Sequence, residues 1–237
     1  PVTFVKECLD SINNQTMTDY KVWVCDGTPH EWKRYDELQA LYKNYPNLNV
    51  VEQTGKGVSQ ARNQIIEMGE QPYVAFLDSD DIWLKNKLKF QVNYMEKNNL
   101  NFSHTSYNII NSKNRIISES IAKKNIIFKD LIKSCDIGLS TVVLNLNFVT
   151  RNKLYFPKIK TKEDYVLWLK IINKIKTIRG INKKLTHYRK TKNSLSSNKI
   201  IGLLNGFKVY REYMSYGLIK SLFYLTLLSL NYIKKNF

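Results

Sequence analysis

The chain has 237 residues, enough for one α/β domain with a full core and too few for several. Its 43% hydrophobic and 12% aromatic content excludes an intrinsically disordered chain. A formal charge of +17 points to anionic partners: nucleic acid, an anionic membrane face or a phosphorylated substrate.

The first helical pattern sets Val5, Cys8, Leu9 and Ile12 on one face. Residues 20–25 read as a short apolar strand that stops at the turn signal Asp26-Gly27-Thr28-Pro29. A surface helix is predicted over 30–45, with Leu38, Leu41 and Tyr42 inward, and a brief strand over 49–52. Gly55-Lys56-Gly57 then breaks the chain before a helix whose inward stripe reads Val58, Ala61, Ile65 and Met68. A strand at 73–78 and a helix at 84–97 complete an alternation that argues for parallel strands crossed by helices. Beyond it, 102–110 and 115–120 read as paired strands, 128–133 as a short helix and 140–144 as a buried strand. A helix at 163–175, a strand at 185–189 and a polar loop at 190–198 follow, and helices at about 199–215 and 218–234 close the chain. The expected fold class is α/β, a mostly parallel central sheet flanked by helices over 1–198, with a helical extension at 199–237. Cys8, Cys25 and Cys135 form no CxxC pair and no zinc-type cluster with the isolated His30, His104 and His187, which fits a reduced, cytoplasmic setting.

The chemistry concentrates after the strand at 73–78, where Asp78, Asp80 and Asp81 fall within four residues. Carboxylates so close repel one another, and a hard divalent cation offsets that cost; alternatively, Asp80 or Asp81 caps the following helix. In parallel sheets ligands bind outside the carboxyl ends of the strands, and Asp26, Asp78-Ser79-Asp80, Arg62 and Glu163-Asp164 all fall at such positions. Each has a plainer reading: an Asx turn at Asp26, a surface salt bridge at Arg62, first-turn helix acids at Glu163 and Asp164. Together with the flexible loop at Lys56 they make a candidate metal–diphosphate site.

Five stretches carry a resemblance: the first helix Phe4-Val5-Lys6-Glu7-Cys8-Leu9-Asp10-Ser11-Ile12 with Gln15-Thr16; Val22-Trp23-Val24-Cys25-Asp26-Gly27-Thr28; Gly57-Val58-Ser59-x-Ala61-Arg62-Asn63; Phe76-Leu77-Asp78-Ser79-Asp80-Asp81-Ile82-Trp83; and Glu163-Asp164-Tyr165-x-Leu167-Trp168-Leu169. In this order the chain resembles a family 2 glycosyltransferase of the GT-A fold, of the bacterial kind that builds surface polysaccharides such as O-antigen and lipopolysaccharide. The resemblance implies an inverting, metal-dependent transferase moving a sugar from a nucleotide-sugar, a UDP-sugar, to a saccharide or undecaprenyl-diphosphate-linked acceptor. By the same resemblance Asp26 meets the uracil ring, Asp78 lies near the ribose or the metal, and Asp80 holds Mg²⁺ or Mn²⁺, with Ser79 between them. Arg62 contacts the donor, Lys56 and Arg189 close on the diphosphate, Asp164 is the catalytic base, and Glu163 beside it orients the acceptor. The start of a helix at Asp164 is expected to keep that base ionised.

Two departures stand beside these matches. Where the family has Asp-Asp-Gly, this chain has Cys25-Asp26-Gly27, and the family's first strand, ending in Pro-x-Tyr-Asn, has no counterpart unless Pro1-Val2-Thr3 is its remnant. A chain lacking that strand is expected to bind donor weakly, and an inactive remnant is the alternative reading. The segment 218–233 is strongly apolar but short of a span and interrupted by Lys220, so a helix lying in the membrane interface is expected, peripheral on the inner face of the cytoplasmic membrane. A nucleic-acid-binding protein is the rival from another class, but the basic residues form no aromatic-interleaved stripe and no such signature is present.

Overall fold

The computed structural model describes residues 1–191 and 199–236, and within them the helix–strand alternation is realised. Helix α1 (Val2–Asn13) buries Cys8 and Leu9, so Val2 and Thr3 begin a helix and are not a strand remnant. Strand β1 (Val22–Asp26) pairs in parallel with β2 (Leu48–Glu52). Between them α2 (Tyr35–Tyr42) is shorter than the expected 30–45, because turns closed by Trp32 N–H to Pro29 O and Tyr35 N–H to Trp32 O occupy the residues after Pro29. Gly57, at φ +87°, starts α3 (Val58–Met68), a conformation glycine adopts without steric cost.

Strand β3 (Tyr73–Ala75) runs into the acidic loop, β4 (Ile82–Trp83) leaves it, and only then does α4 (Lys87–Lys97) begin. Neither Asp80 nor Asp81 caps that helix; Asn86 stands at its start. The hairpin β5 (Phe102–Ile110) and β6 (Ile116–Ser120) forms as expected. It is followed by β7 (Asn125–Ile127), α5 (Phe128–Leu131), a single 3-10 turn at Leu139–Thr141, β8 (Val143–Asn145) and α6 (Leu146–Arg151). Helix α7 (Glu163–Ile175) leads into β9 (Thr177–Arg189), and α8 (Lys199–Lys208), a π turn at Val209–Tyr213 and α9 (Leu218–Asn236) close the chain. Most of the polar loop expected at 190–198 lies outside the described residues.

The larger sheet runs β3-β8-β5-β9-β4, with β6 added to β5 and β7 to β9. The expectation of a mostly parallel sheet holds for β1–β2 and β5–β9, whereas β3–β8, β8–β5, β4–β9 and both added strands pair antiparallel. Helix α7 is the hub of the core: Tyr165, Val166, Leu167, Trp168, Leu169, Ile171 and Ile172 are all fully buried. Their neighbours in that core include Val209, Tyr210 and Leu228, so the C-terminal helices share the main domain's interior. The ring of Trp168 meets Phe102 edge-on at 5.0 Å, a favoured aromatic geometry.

Strands β1 and β3 point the same way without pairing. Lys21, before β1, bonds Glu70, before β3; at the far ends Cys25 reaches Gln64 while Asp78 reaches Arg62, two residues away on α3. Between the two strands lies a cavity of about 1020 Å³, walled by Val22–Asp26 on one side and residues 73–78 on the other. No strand fills this space among the described residues. Val58, Ala61 and Ile65 of α3 also line it, so the apolar stripe read from the sequence faces the cavity, and Val58 and Met68 remain about 40% exposed. The buried face of α3 is instead Ser59 and Ile66. With one edge of β1 unpaired, its amides from Val22 to Asp26 are expected to exchange with solvent faster than those of β5, which is paired on both sides. Hydrogen exchange read by mass spectrometry checks this, and equal protection of the two strands would show β1 to be held by more than β2.

Candidate active site

The acidic loop is shaped by residues far apart in the chain. Asp81 is buried, accepting from the Ser140 hydroxyl at 2.6 Å and from the Arg189 backbone N–H at 2.7 Å. It therefore locks β4, β9 and the 3-10 turn together, and does not have the helix-starting role expected of it. Burial, and then the charge of Asp78, hold its carboxyl well above the usual range. Ser140 also accepts the Asp78 N–H at 3.0 Å, and Cys8 Sγ reaches the Asp78 carbonyl at 3.7 Å. These bonds leave Ser79 exposed at the loop's tip and Asp78 and Asp80 part-exposed on either side.

Arg62 joins this loop to the other acidic pair. Its guanidinium donates to Asp78 Oδ1 at 2.9 Å and to Glu163 Oε1 at 2.6 Å, and its carbon stands 5.4 Å from the centre of the Phe156 ring. Burial alone would weaken its hold on a proton, but Asp78 and Glu163 outweigh that and raise its pKa above the ordinary value. Helix α3 is pinned for this task by Ser59 and Asn63, whose side chains donate to the carbonyls of Pro157 and Phe156. The site thus brings Arg62, Asp78 and Glu163 into direct contact, with Asp164 next in sequence.

Asp164 opens α7 after Lys162, which is held in the left-handed region at φ 70°, an unusual conformation for a residue with a side chain. Burial first, and then the charge of Glu163, push the Asp164 carboxyl up to about 6; Arg62 and the N–H of Tyr165 oppose this without cancelling it. The helix start gives Asp164 one backbone N–H, at 2.7 Å, which does not outweigh burial beside a second acid, so its pKa rises while the group stays mostly ionised at neutral pH. A carboxylate titrating near 6 is suited to take a proton at neutral pH. Asp80 is likewise raised, by burial and then by Asp78.

Asp26 ends β1 on the cavity wall, accepting Thr28 N–H on one oxygen and the Gln39 amide on the other, both at 2.9 Å. The Asx turn leaves each carboxylate oxygen of Asp26 a second lone pair free to accept. Lys56 is exposed in the loop between β2 and α3. Arg189 departs from expectation. It ends β9, its side chain is fully buried, and its donors go to Glu7 at 2.5 Å, Asn114, the Asn111 carbonyl and the Asp80 carbonyl at 2.7 Å. The Phe4 ring covers it at 4.2 Å. With its donors committed inside the fold, Arg189 braces the acidic loop and does not close on a diphosphate. Glu7, Ser140 and Phe156 were missed as supports because no local pattern marks a residue whose partner lies up to 182 positions away.

Comparison with known proteins matches residues 3–209 to the description "Glycosyl transferase family 2". The chain belongs to that family. It is 35% identical over 231 residues, 97% of this chain and 87% of the other, to the Escherichia coli UDP-Glc:alpha-D-GlcNAc-diphosphoundecaprenol beta-1,3-glucosyltransferase WfgD. It is 30% identical to the putative teichuronic acid biosynthesis glycosyltransferase TuaG of Bacillus subtilis, covering 98% of this chain and 92% of that one. Among solved structures, S. aureus TarS 1–349 in complex with UDP-GlcNAc superposes with a TM-score of 0.69 at 20% identity over 89% of this chain. This glycosyltransferase spans 62% of that TarS chain, and at such identity the likeness shows the fold. Its acidic loop, Arg62 and Glu163-Asp164 therefore lie in an α/β frame of the GT-A type.

Proposed function

We propose that this glycosyltransferase moves a hexose from a UDP-sugar to a saccharide carried on undecaprenyl diphosphate, inverting the anomeric centre, in the synthesis of a surface polysaccharide at the inner face of the cytoplasmic membrane. The observation that carries the reading is the two-sided ion pair of Arg62, which ties the loop bearing Asp78 and Asp80 to the helix start bearing Glu163 and Asp164. Support for the donor and acceptor comes from the WfgD relative, named as a glucosyltransferase whose donor is UDP-Glc and whose acceptor is a diphosphoundecaprenol-linked sugar.

In this reading Asp26 accepts a hydrogen bond from the uracil N–H through its spare lone pairs, and Lys56 and Ser79 sit at the rim where the diphosphate lies. Asp164 takes the proton of the attacking acceptor hydroxyl, and Glu163, held by Arg62, keeps a fixed orientation beside it. With one base opposite the leaving group, displacement is direct and the anomeric configuration inverts. Asp78 and Asp80 would supply carboxylate oxygens, the hard donors Mg²⁺ and Mn²⁺ take; burial and then the charge of Asp78 raise the Asp80 carboxyl, a cost that a cation would offset. Asp78 and Asp80 are the residues that would hold the ion, and oxygens of a bound diphosphate would complete its ligand set. When bound, the ion stabilises the negative charge left on the departing diphosphate.

UDP released from UDP-glucose on adding GlcNAc-diphosphoundecaprenol tests the reading. Acceptor-dependent release supports it, and its absence across UDP-hexoses overturns it. Because the base works deprotonated and Asp164 titrates near 6, kcat/KM is expected to fall tenfold per pH unit below about 6 and to level off above it. A pH profile between 5 and 8 checks this; a flat profile would assign the base elsewhere.

A further inference from the structure

We infer that the paired C-terminal helices form a docking face for an anionic phospholipid bilayer, set beside the helix start that carries Asp164. This rests on the proposal of a lipid-linked acceptor and adds where the membrane meets the protein.

Helix α9 has two unlike faces. Ser221 and Leu228 are buried and Tyr224 and Leu225 pack against the core. On the opposite side Ile219, Leu222, Phe223, Leu230 and Ile233 are 49–85% exposed. At 3.6 residues per turn these five fall within one arc of roughly 100°. Helix α8 contributes exposed Ile200, Leu203 and Leu204. The two helices are already in close contact, since a Cβ on Gly206 would stand 2.9 Å from Leu225 Cδ1. Their outward apolar side chains are therefore left over after the helices have packed on each other and on the core. Contiguous exposed apolar surface of this kind marks an interaction site.

Charge selects the occupant. From residue 199 onward, Lys199, Lys208, Arg211, Lys220, Lys234 and Lys235 are set against a single acid, Glu212. Lys208, Arg211, Lys220 and Lys234 are exposed around the apolar arc. An apolar arc with basic neighbours is the pattern of a helix lying in the headgroup layer of an anionic membrane. Spanning is excluded for the described residues, where no helix is long and apolar enough to cross a bilayer.

Position links this face to the chemistry. Asn205 of α8 donates to Thr161 Oγ1 at 2.8 Å, and Gly206 lies against Lys162, the residue before Glu163 and Asp164. Tyr213 O–H reaches the Lys158 carbonyl in the same segment. Docking through α8 and α9 would hold the start of α7 close to the lipid surface, where a membrane-anchored diphosphate acceptor presents its sugar.

Co-sedimentation of the 237-residue protein with vesicles of phosphatidylglycerol and phosphatidylcholine, against phosphatidylcholine alone, tests the inference. Binding to the anionic vesicles is expected, weakened by salt, and at least about tenfold lower when Leu222→Glu and Phe223→Glu are combined. Ile117→Glu, on exposed β6, serves as a control that keeps binding, and an unchanged melting temperature shows that the double variant is folded. The inference is overturned if the protein ignores anionic vesicles, if it binds neutral ones equally, or if the double variant binds as well as the parent. It is also overturned if the face instead joins two copies in solution, read as a dimer that the double variant abolishes. Vesicle binding is read without sugar transfer, so its failure is distinguishable from a failure of the proposed reaction.

Discussion

Asp164→Asn is expected to lower kcat by roughly 10²–10⁴-fold, the span a positioned general base contributes. Asparagine keeps the shape and can still accept the Tyr165 N–H, so the helix start should survive, while the ability to take a proton is lost. Donor affinity should not change, because Arg62 bonds Asp78 and Glu163 and not Asp164. Steady-state transfer and calorimetric titration with UDP separate the two quantities. A variant with near-parental kcat would place the base elsewhere, and one that lost UDP binding would show that Asp164 belongs to the donor side.

Arg62→Ala is expected to cost both activity and stability. It leaves Glu163 buried without its cation and Asp78 half-exposed without one. Breaking a buried ion pair costs about 3–5 kcal/mol; because Asp78 is 39% exposed and screened, the lower figure of about 3 kcal/mol applies here. For a chain of this size that lowers Tm by about 6–12 °C. Thermal unfolding at pH 7 checks the size; an unchanged Tm would mean the bridge adds nothing to the fold. Arg62→Lys should recover part of the stability but less of the activity, since an ammonium does not reproduce the fork that reaches two carboxylates at once.

The fold was legible where apolar spacing and turn residues speak locally. Helices α1, α4 and α7 and the β5–β6 hairpin followed from such signals. Strand β9 was seen only in its last five residues, because Gly180, Asn182, Lys183 and Lys184 mask the start of a 13-residue strand that its neighbours stabilise through pairing. Two-residue β4 and the six-residue α6 are too short to show a period. The antiparallel partners that a short β8 inserts between β3 and β5 are not legible, because alternation with helices says nothing of them.

In the site, the acid cluster, Arg62 and Glu163-Asp164 could be named because the residue types and their places at element ends carry the chemistry. What the sequence did not disclose was who holds whom. Arg189 and Asp81 looked like candidates for ligand and cap, yet both are buried tie-points between distant segments. Long-range partners such as Glu7 and Ser140 leave no local trace, and only the folded arrangement shows Arg62 bridging two acidic stretches 85 residues apart, from Asp78 to Glu163.

Direct displacement at the anomeric carbon, with Asp164 as the single base, would fix the stereochemistry of the product. The configuration of the new linkage, read by proton NMR of the disaccharide formed from an α-linked UDP-hexose and a lipid-diphosphate acceptor, tests it most directly. A β-linked product is expected. An α-linked product would contradict it, because retention requires two displacements or a front-face route, in which Asp164 would not act as the proposed base.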